Sequence, residues 1–311
     1  MDTGTARTTG KQLRVTIVQS GSCSEDLPAN TAALLETFRE EAAKGTDLVL
    51  FPELATAPYF CATSKDDRFW GWAETVPGPT TDAFAKVAAE TGTAVCFGIY
   101  ERTPEGDFYN AAPIIDATGT MLAGQLPDGT TQAAFRKLAI PKVETPTLTT
   151  DEKHWYGAGA GPCIFEVNGI RVAVLICYDR SFSEHWAAAA HMGAEAIIVV
   201  VSSFGWRSEM FVPELRIRGM ETGVWVLAVN RGGPEVVNGQ TLTFFGQSCV
   251  IEPTGKVVAL APADEAGHVI HATIDTGLLA EARRTWPIQQ DRRPEVFRFM
   301  YDTPSYSSDP Q

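Results

Sequence analysis

The sequence predicts an α/β fold in which two packed β-sheets are covered by outer helices. Short runs that are apolar on both faces alternate with amphipathic stretches, and this pairing recurs along the chain. Three further segments carry a Gly-containing turn between β-prone stretches, as antiparallel hairpins do. Of the 311 residues, 44% are hydrophobic and 20% charged, enough apolar surface for a large core.

In chain order, LRVTIV at 13–18 reads as a first buried strand. A helix follows over 29–45, with Leu34, Leu35, Phe38 and Ala42 on one face and Gly45 past its end. The run DLVLFPEL at 47–54 is a second strand that ends at a proline. Helix 80–92 precedes strand 93–100, helix 182–192 precedes strand 195–203, and helix 209–222 precedes strand 224–230. The hairpin segments are 109–123, 163–177 and 248–261. No repeat or linker divides the chain, so one domain is expected over 12–300, with flexible ends at 1–11 and 301–311. Loops as long and polar as 124–134 and 142–162 are often functional inside a compact domain.

Composition excludes several functions. The chain has 25 Lys and Arg against 38 Asp and Glu, a net charge of −13. Its densest basic feature is the pair Arg292-Arg293, too small to track a phosphate backbone, so no nucleic-acid partner is expected. The longest apolar runs, 172–177 and 196–201, fall far short of the roughly 18–20 residues of a membrane span. The N-terminus lacks an apolar leader, and six scattered cysteines suit a reducing compartment, so a cytoplasmic location is expected. His268 and His271 are three apart on a probable strand and face opposite sides, and no metal site is expected. The glycines of GAGAGP at 157–162 precede a strand rather than follow one, which argues against a dinucleotide site.

Three residue types carry chemistry. Cys177 ends the apolar run VAVLIC, ahead of a helix expected to open at Ser181 with Glu184 at capping-box spacing. A thiol on such a strand-to-helix turn is expected to have a lowered pKa and backbone N–H groups nearby. Position alone leaves a catalytic and a core role for this cysteine both open. Glu53 ends an apolar strand, where a carboxylate must be paired, hydrogen-bonded or held in a cleft. Lys137 sits in the apolar-flanked stretch FRKLAIP at 135–141. Carboxylate, thiol and ammonium together make a complete set for attack on an amide: proton acceptor, nucleophile and oxyanion partner.

FPEL at 51–54, FRKLAIP at 135–141 and LICYDRSFSE at 175–184 resemble the three signature blocks of the nitrilase superfamily of carbon–nitrogen hydrolases. Agreement extends through Arg218-Gly-Met-Glu221, Asn230-Arg231, Gly246-Gln-Ser248 and Asp291-Arg292-Arg293-Pro294. The resemblance implies a four-layer α-β-β-α sandwich. It makes Glu53 the general base, Lys137 the oxyanion stabiliser, Cys177 the nucleophile and the Tyr178 backbone N–H a second oxyanion donor. It also implies a second glutamate, for which Glu152 fits the local context and Glu144 lies nearer the lysine. No metal or organic cofactor is implied, and a homodimer or larger homo-oligomer is, through helix 182–192 and the tail after Arg293.

Tyr178-Asp179-Arg180 after the nucleophile resembles the branch that hydrolyses N-carbamoyl (ureido) compounds, where Arg180 would grip a substrate carboxylate. The stretch 57–61 resembles the same branch and offers Tyr59 and Phe60 as pocket wall, with Arg207 a further anion contact. Two departures bear on the pocket: the segment 124–134 is longer than usual, and LAIPKVE follows the lysine in place of a His-Leu-Pro form. The expected substrate is a small amide or ureido compound, attacked with water. An aliphatic or ω-amidase and a catalytically silent scaffold are the alternatives.

Overall fold

The computed structural model describes residues 10–145 and 148–302. Its five-stranded sheet runs in the order His268–Asp275, Gln12–Gln19, Leu48–Leu50, Ala94–Cys96, Ile114–Ile115. The three central strands are parallel, with Val15 beside Leu48 and Leu48 beside Ala94. Period two sorts their side chains: Leu48 and Leu50 join the core between the sheets, whereas Val49 faces the helices α1 (Leu27–Ala42) and α2 (Pro79–Thr91). On that face Phe38, Phe84 and Phe97 stack, with ring centroids 6.1 and 4.2 Å apart.

The second sheet has eight strands. Its parallel centre is Ile170–Ile176, Ala196–Val200 and Trp225–Val229, buried on both faces. Helices α3 (Ser183–His191) and α4 (Ser208–Thr222) contribute Trp186, Phe211 and Leu215 to its core. Layers of helix, sheet, sheet and helix follow, as the sequence implies.

Of the expected hairpins, Ile164–Val167 with Ile170–Ile176 and Cys249–Ile251 with Val257–Leu260 form as read. The segment 109–123 does not form a simple one. Pro113, without an N–H to give, separates Phe108–Ala112, which joins a small three-stranded sheet, from Ile114–Ile115 on the five-stranded sheet. The strand read at 93–100 also splits, at Gly98. A Cβ there would lie 2.5 Å from the Glu53 Cα, so only glycine lets these chains pass. The long segment 124–134 is spent on a two-strand turn, Gly124–Gln125 with Thr131–Gln132, at the edge of the eight-stranded sheet.

Helix α1 ends at Ala42, ahead of the sequence reading, and Gly45 takes a left-handed φ of 85° in the turn beyond. The expected loose ends fall mostly on 1–9 and 303–311, outside the described residues. Lys11, by contrast, donates its N–H to Thr276, and 301–302 complete a short helix, Phe299–Asp302. No helix among the described residues is long and apolar enough to cross a membrane.

Candidate active site

The polar residues of interest gather where the parallel strands of both sheets end, the usual address of a site in an open α/β sheet. Glu53 follows Leu48–Leu50 in one sheet. Cys177, Ser202 with Ser203, and Asn230 with Arg231 follow the three central strands of the other. Lys137 follows the short strand Phe135–Arg136. There Phe135 is buried and Arg136 makes a two-point pair with Glu101 at 2.8 and 2.6 Å, which turns the lysine inward.

Glu53 and Lys137 are both fully buried, and Lys137 Nζ donates to Glu53 Oε1 at 3.0 Å. The same ammonium donates to both oxygens of Glu152, at 2.8 and 2.6 Å, and the Tyr59 hydroxyl donates to Glu152 Oε1 at 2.6 Å. Asn110 Nδ2 donates to Glu53 Oε1 at 2.7 Å, whereas the buried Glu53 Oε2 has no hydrogen-bond partner. One carboxylate oxygen is therefore fixed and the other is free to take a proton.

Charge and burial compete at each group. Burial works against the Lys137 ammonium, but Glu152 and then Glu53 outweigh it and hold its pKa well above the ordinary lysine value. Burial raises Glu152, with Lys137 opposing and Glu53 adding to the rise. Burial and the Glu53 charge raise the Cys177 thiol, against Lys137 and Arg180. This reverses the expected lowering. A separate turn, Cys177–Ser181, stands between the thiol and α3, which opens at Ser183 without a side-chain cap. The hydroxyl of Ser181 instead accepts from Arg207 at 2.9 Å. Cys177 thus rests as a thiol beside a carboxylate.

Its backbone is left-handed, with φ at 49°, a conformation that costs a non-glycine residue about 1–3 kcal/mol and persists only where neighbours enforce it. Asp179 is one such neighbour. Its carboxylate accepts from the N–H groups of Ile176 at 3.1 Å and Ala139 at 2.8 Å, tying the cysteine turn to the residues after Lys137. Burial pushes this carboxyl up to about 7, against the pull of those N–H donors. Ser203 Oγ lies 3.4 Å from Cys177 Sγ, and its N–H is held by Asn230 Oδ1 at 2.9 Å.

The two sheets are also stitched at Glu53. Its carbonyl accepts from Ser202 Oγ at 2.8 Å and from Arg231 at 3.1 Å. Arg231 is paired with buried Glu235, whose other oxygen accepts the Tyr59 N–H at 2.7 Å.

A cavity of about 660 Å³ opens onto Cys177, with Tyr59, Glu152, Tyr178, Arg180 and Ser203 in its wall. Of the residues read from sequence, Glu53, Lys137, Glu152 and Tyr59 form one bonded cluster. Tyr178 follows the cysteine into the wall. Two expectations need correction. Phe60 is not pocket wall: it is fully buried among Phe69, Trp72, Tyr100 and Trp155, with centroids 5.2 to 5.5 Å away. Arg180 is not an open carboxylate grip: it is 2% exposed, paired with Glu214 at 3.2 Å and donating to the Cys177 carbonyl at 2.7 Å. Glu144 is exposed and paired with Lys142 at 2.8 Å, away from the cluster. His268 and His271 bond to separate carboxylates, Glu265 and Glu41.

Asn110, Asp179 as an anchor, Ser203, Glu214 and Glu235 escaped the sequence reading. Glu53, Lys137 and Cys177 stand out as polar groups ending apolar runs, whereas partners such as Asn110, Glu214 and Glu235 reach the site from strands and a helix elsewhere in the chain. Only Asp179 left a signal, next to the cysteine and too polar for a buried turn.

A sandwich of two sheets with a buried acid, ammonium and thiol at their shared end defines a hydrolase of carbon–nitrogen bonds in linear amides. The model of the carbon-nitrogen hydrolase family matches residues 14–284, and the chain belongs to that family. N-carbamoylputrescine amidase of Arabidopsis thaliana is 29% identical over 297 residues, 90% of this chain and 92% of the relative. Omega-amidase NIT2-B of Xenopus laevis is 29% identical over 263 residues, 84% of this chain and 88% of the relative. Among solved structures, a carbon-nitrogen hydrolase from Helicobacter pylori G27 superposes with a TM-score of 0.81 at 21% identity, covering 94% of this chain and 99% of that one.

Proposed function

We propose that the protein hydrolyses an N-carbamoyl (ureido) group, R–NH–CO–NH₂, through a covalent intermediate on Cys177. The observation that carries this reading is the divided state of Glu53: Oε1 is fixed by Lys137 and Asn110, Oε2 is buried and unpartnered, and the Glu53 charge acts on the Cys177 sulfur. Glu53 takes the thiol proton as sulfur attacks the carbonyl carbon. Lys137 and the Tyr178 N–H hold the developing oxyanion. Glu53 returns the proton to the departing nitrogen, ammonia leaves, and a carbamoyl thioester remains. Glu53 then takes a proton from water, which attacks the carbonyl carbon and frees the thiol. The released carbamate divides into amine and CO₂. Glu152 keeps Lys137 charged and in place throughout.

A ureido substrate differs from an amide by one N–H on the side of its tail, and Ser203 Oγ beside the sulfur offers that N–H an acceptor. The name of the Arabidopsis relative supports the same choice. The name of the Xenopus relative favours a second reading, release of ammonia from a primary amide by the same steps. Ammonia and CO₂ measured together test the two. Equal amounts of both from a urea support the first, ammonia alone from amides supports the second, and neither overturns both. Intact-protein mass after mixing with a urea reads out the carbamoyl adduct, which Cys177→Ala must lose.

The proposed setting is the cytoplasm, and the proposed assembly a homodimer or larger. Phe297, Phe299, Met300 and Tyr301 on the C-terminal helices are all more than half exposed, an apolar surface suited to a second copy.

A further inference from the structure

The cavity that leads to Cys177 has one chemical character. Its outer wall is made by Pro141, Val143 and Leu148 from the segment after Lys137 and by Phe204 and Trp206 from the segment after Ser203. Trp206 is 78% exposed and Val143 44%, so large apolar surface at the mouth is left uncovered by the described residues. Soluble proteins rarely leave such surface open without a use for it.

The charges at this mouth are of one sign in excess. Arg180 and Arg207 both line the cavity, and both are paired with the single carboxylate of Glu214, at 3.2 and 3.0 Å. Arg207 keeps 27% of its side chain exposed. Among the described residues the one carboxylate in the wall is Glu152, which is consumed by Lys137 and Tyr59 deep inside. The carboxylates on the neighbouring hairpin are spoken for as well, Glu144 by Lys142 at 2.8 Å and Asp151 by Lys65 at 3.0 Å. Among the described residues lining the cavity, a terminal ammonium would meet the partly exposed Arg207 guanidinium and no unpaired carboxylate.

We propose that this mouth selects substrates whose tail is aromatic or branched and apolar, and rejects those that end in an ammonium, with Trp206, Val143 and Arg207 as the residues that decide. The inference rests on Cys177 acting as proposed, but it concerns the tail and not the bond that is cut. At about 660 Å³ the cavity has the size of ordinary small-molecule sites and holds far more than a carbamoyl head group.

The test compares ureas that share one head group and differ in tail: phenethylurea, butylurea and aminobutylurea, together with the primary amides of the same tails. Ammonia release gives kcat/KM for each. The expected order is phenethyl, then butyl, then aminobutyl, with the first and last separated by about 30-fold or more. Trp206→Ala lowers the phenethylurea-to-butylurea ratio of kcat/KM about tenfold, mostly through KM. Val143→Asp raises kcat/KM for the aminobutyl substrate and lowers it for the phenethyl one. If amides are cleaved in this order and ureas are not, the tail inference stands while the ureido reading falls. Equal or better turnover of the aminobutyl substrate by the unaltered protein overturns the inference. So does a Trp206→Ala variant whose tail preference is unchanged.

Discussion

Replacing Glu152 by glutamine keeps the shape of the side chain and removes one charge from a dry cluster. Two carboxylates share one ammonium, with contacts of 2.6 and 2.8 Å to Glu152 and 3.0 Å to Glu53. Breaking a buried ion pair by removing one partner costs about 3–5 kcal/mol. Glutamine can still accept from Lys137 and Tyr59 through its remaining oxygen, so about half of that loss, roughly 1.5–2.5 kcal/mol, is expected to reach the transition state. At about 1.4 kcal/mol for each factor of ten, kcat/KM falls about 10- to 60-fold. The fall lies mainly in kcat, because Glu53 then faces Lys137 without the charge of Glu152 and becomes a poorer acceptor for the thiol proton. Steady-state ammonia release across a pH series, with a thermal melt of the same sample, measures both the loss and any unfolding. A variant within threefold of the parent in kcat/KM, with an unchanged melt, would refute the view that Glu152 holds the lysine for catalysis.

Three further outcomes are expected. Ser203→Ala lowers kcat/KM for ureas about tenfold more than for the matching amides, since only ureas carry the N–H that Ser203 would accept; parallel ammonia assays check it. With its folded value pushed up to about 7, Asp179 keeps a proton that an unfolded chain has already released above the ordinary aspartate range. Its contribution to stability therefore falls as pH rises from about 4 towards 7, and melting curves of the parent lose ground to those of Asp179→Asn over that window. Charged residues placed at Phe297 and Tyr301 together dissociate the proposed oligomer, read by light scattering after gel filtration; a particle of unchanged mass counts against that surface.

Much of the architecture was legible because the responsible forces are local. Leu48, Val49 and Leu50 form an apolar run too short for a helix, and a carboxylate three residues later must lie at a strand end. The same logic exposed Lys137 and Cys177. It failed where a side chain's partner is distant in the chain. Phe60 stands beside pocket residues in sequence, and only the approach of Phe69, Tyr100 and Trp155 shows it to be core. Arg180 lies within the cysteine turn, yet its guanidinium is claimed by Glu214 on α4. The thiol was misjudged because a helix start can be guessed from Ser181 and Glu184, while the burial of the sulfur, and after it the charge of Glu53, come from packing against the other sheet. Gly98 left no readable signal, since its need arises only where two loops cross.

The hydrogen bonds from Ser202 and Arg231 to the Glu53 carbonyl have a mechanical consequence. Base and nucleophile are carried by different halves of the sandwich, so their separation gauges how those halves are seated. A slip of about one ångström is enough to cost a reaction a hundredfold while leaving each half intact. Gentle heating or pressure should therefore silence turnover before any spectroscopic sign of melting, and cavity-forming changes between the halves, far from the sulfur, should behave in kinetics like damage to the site itself.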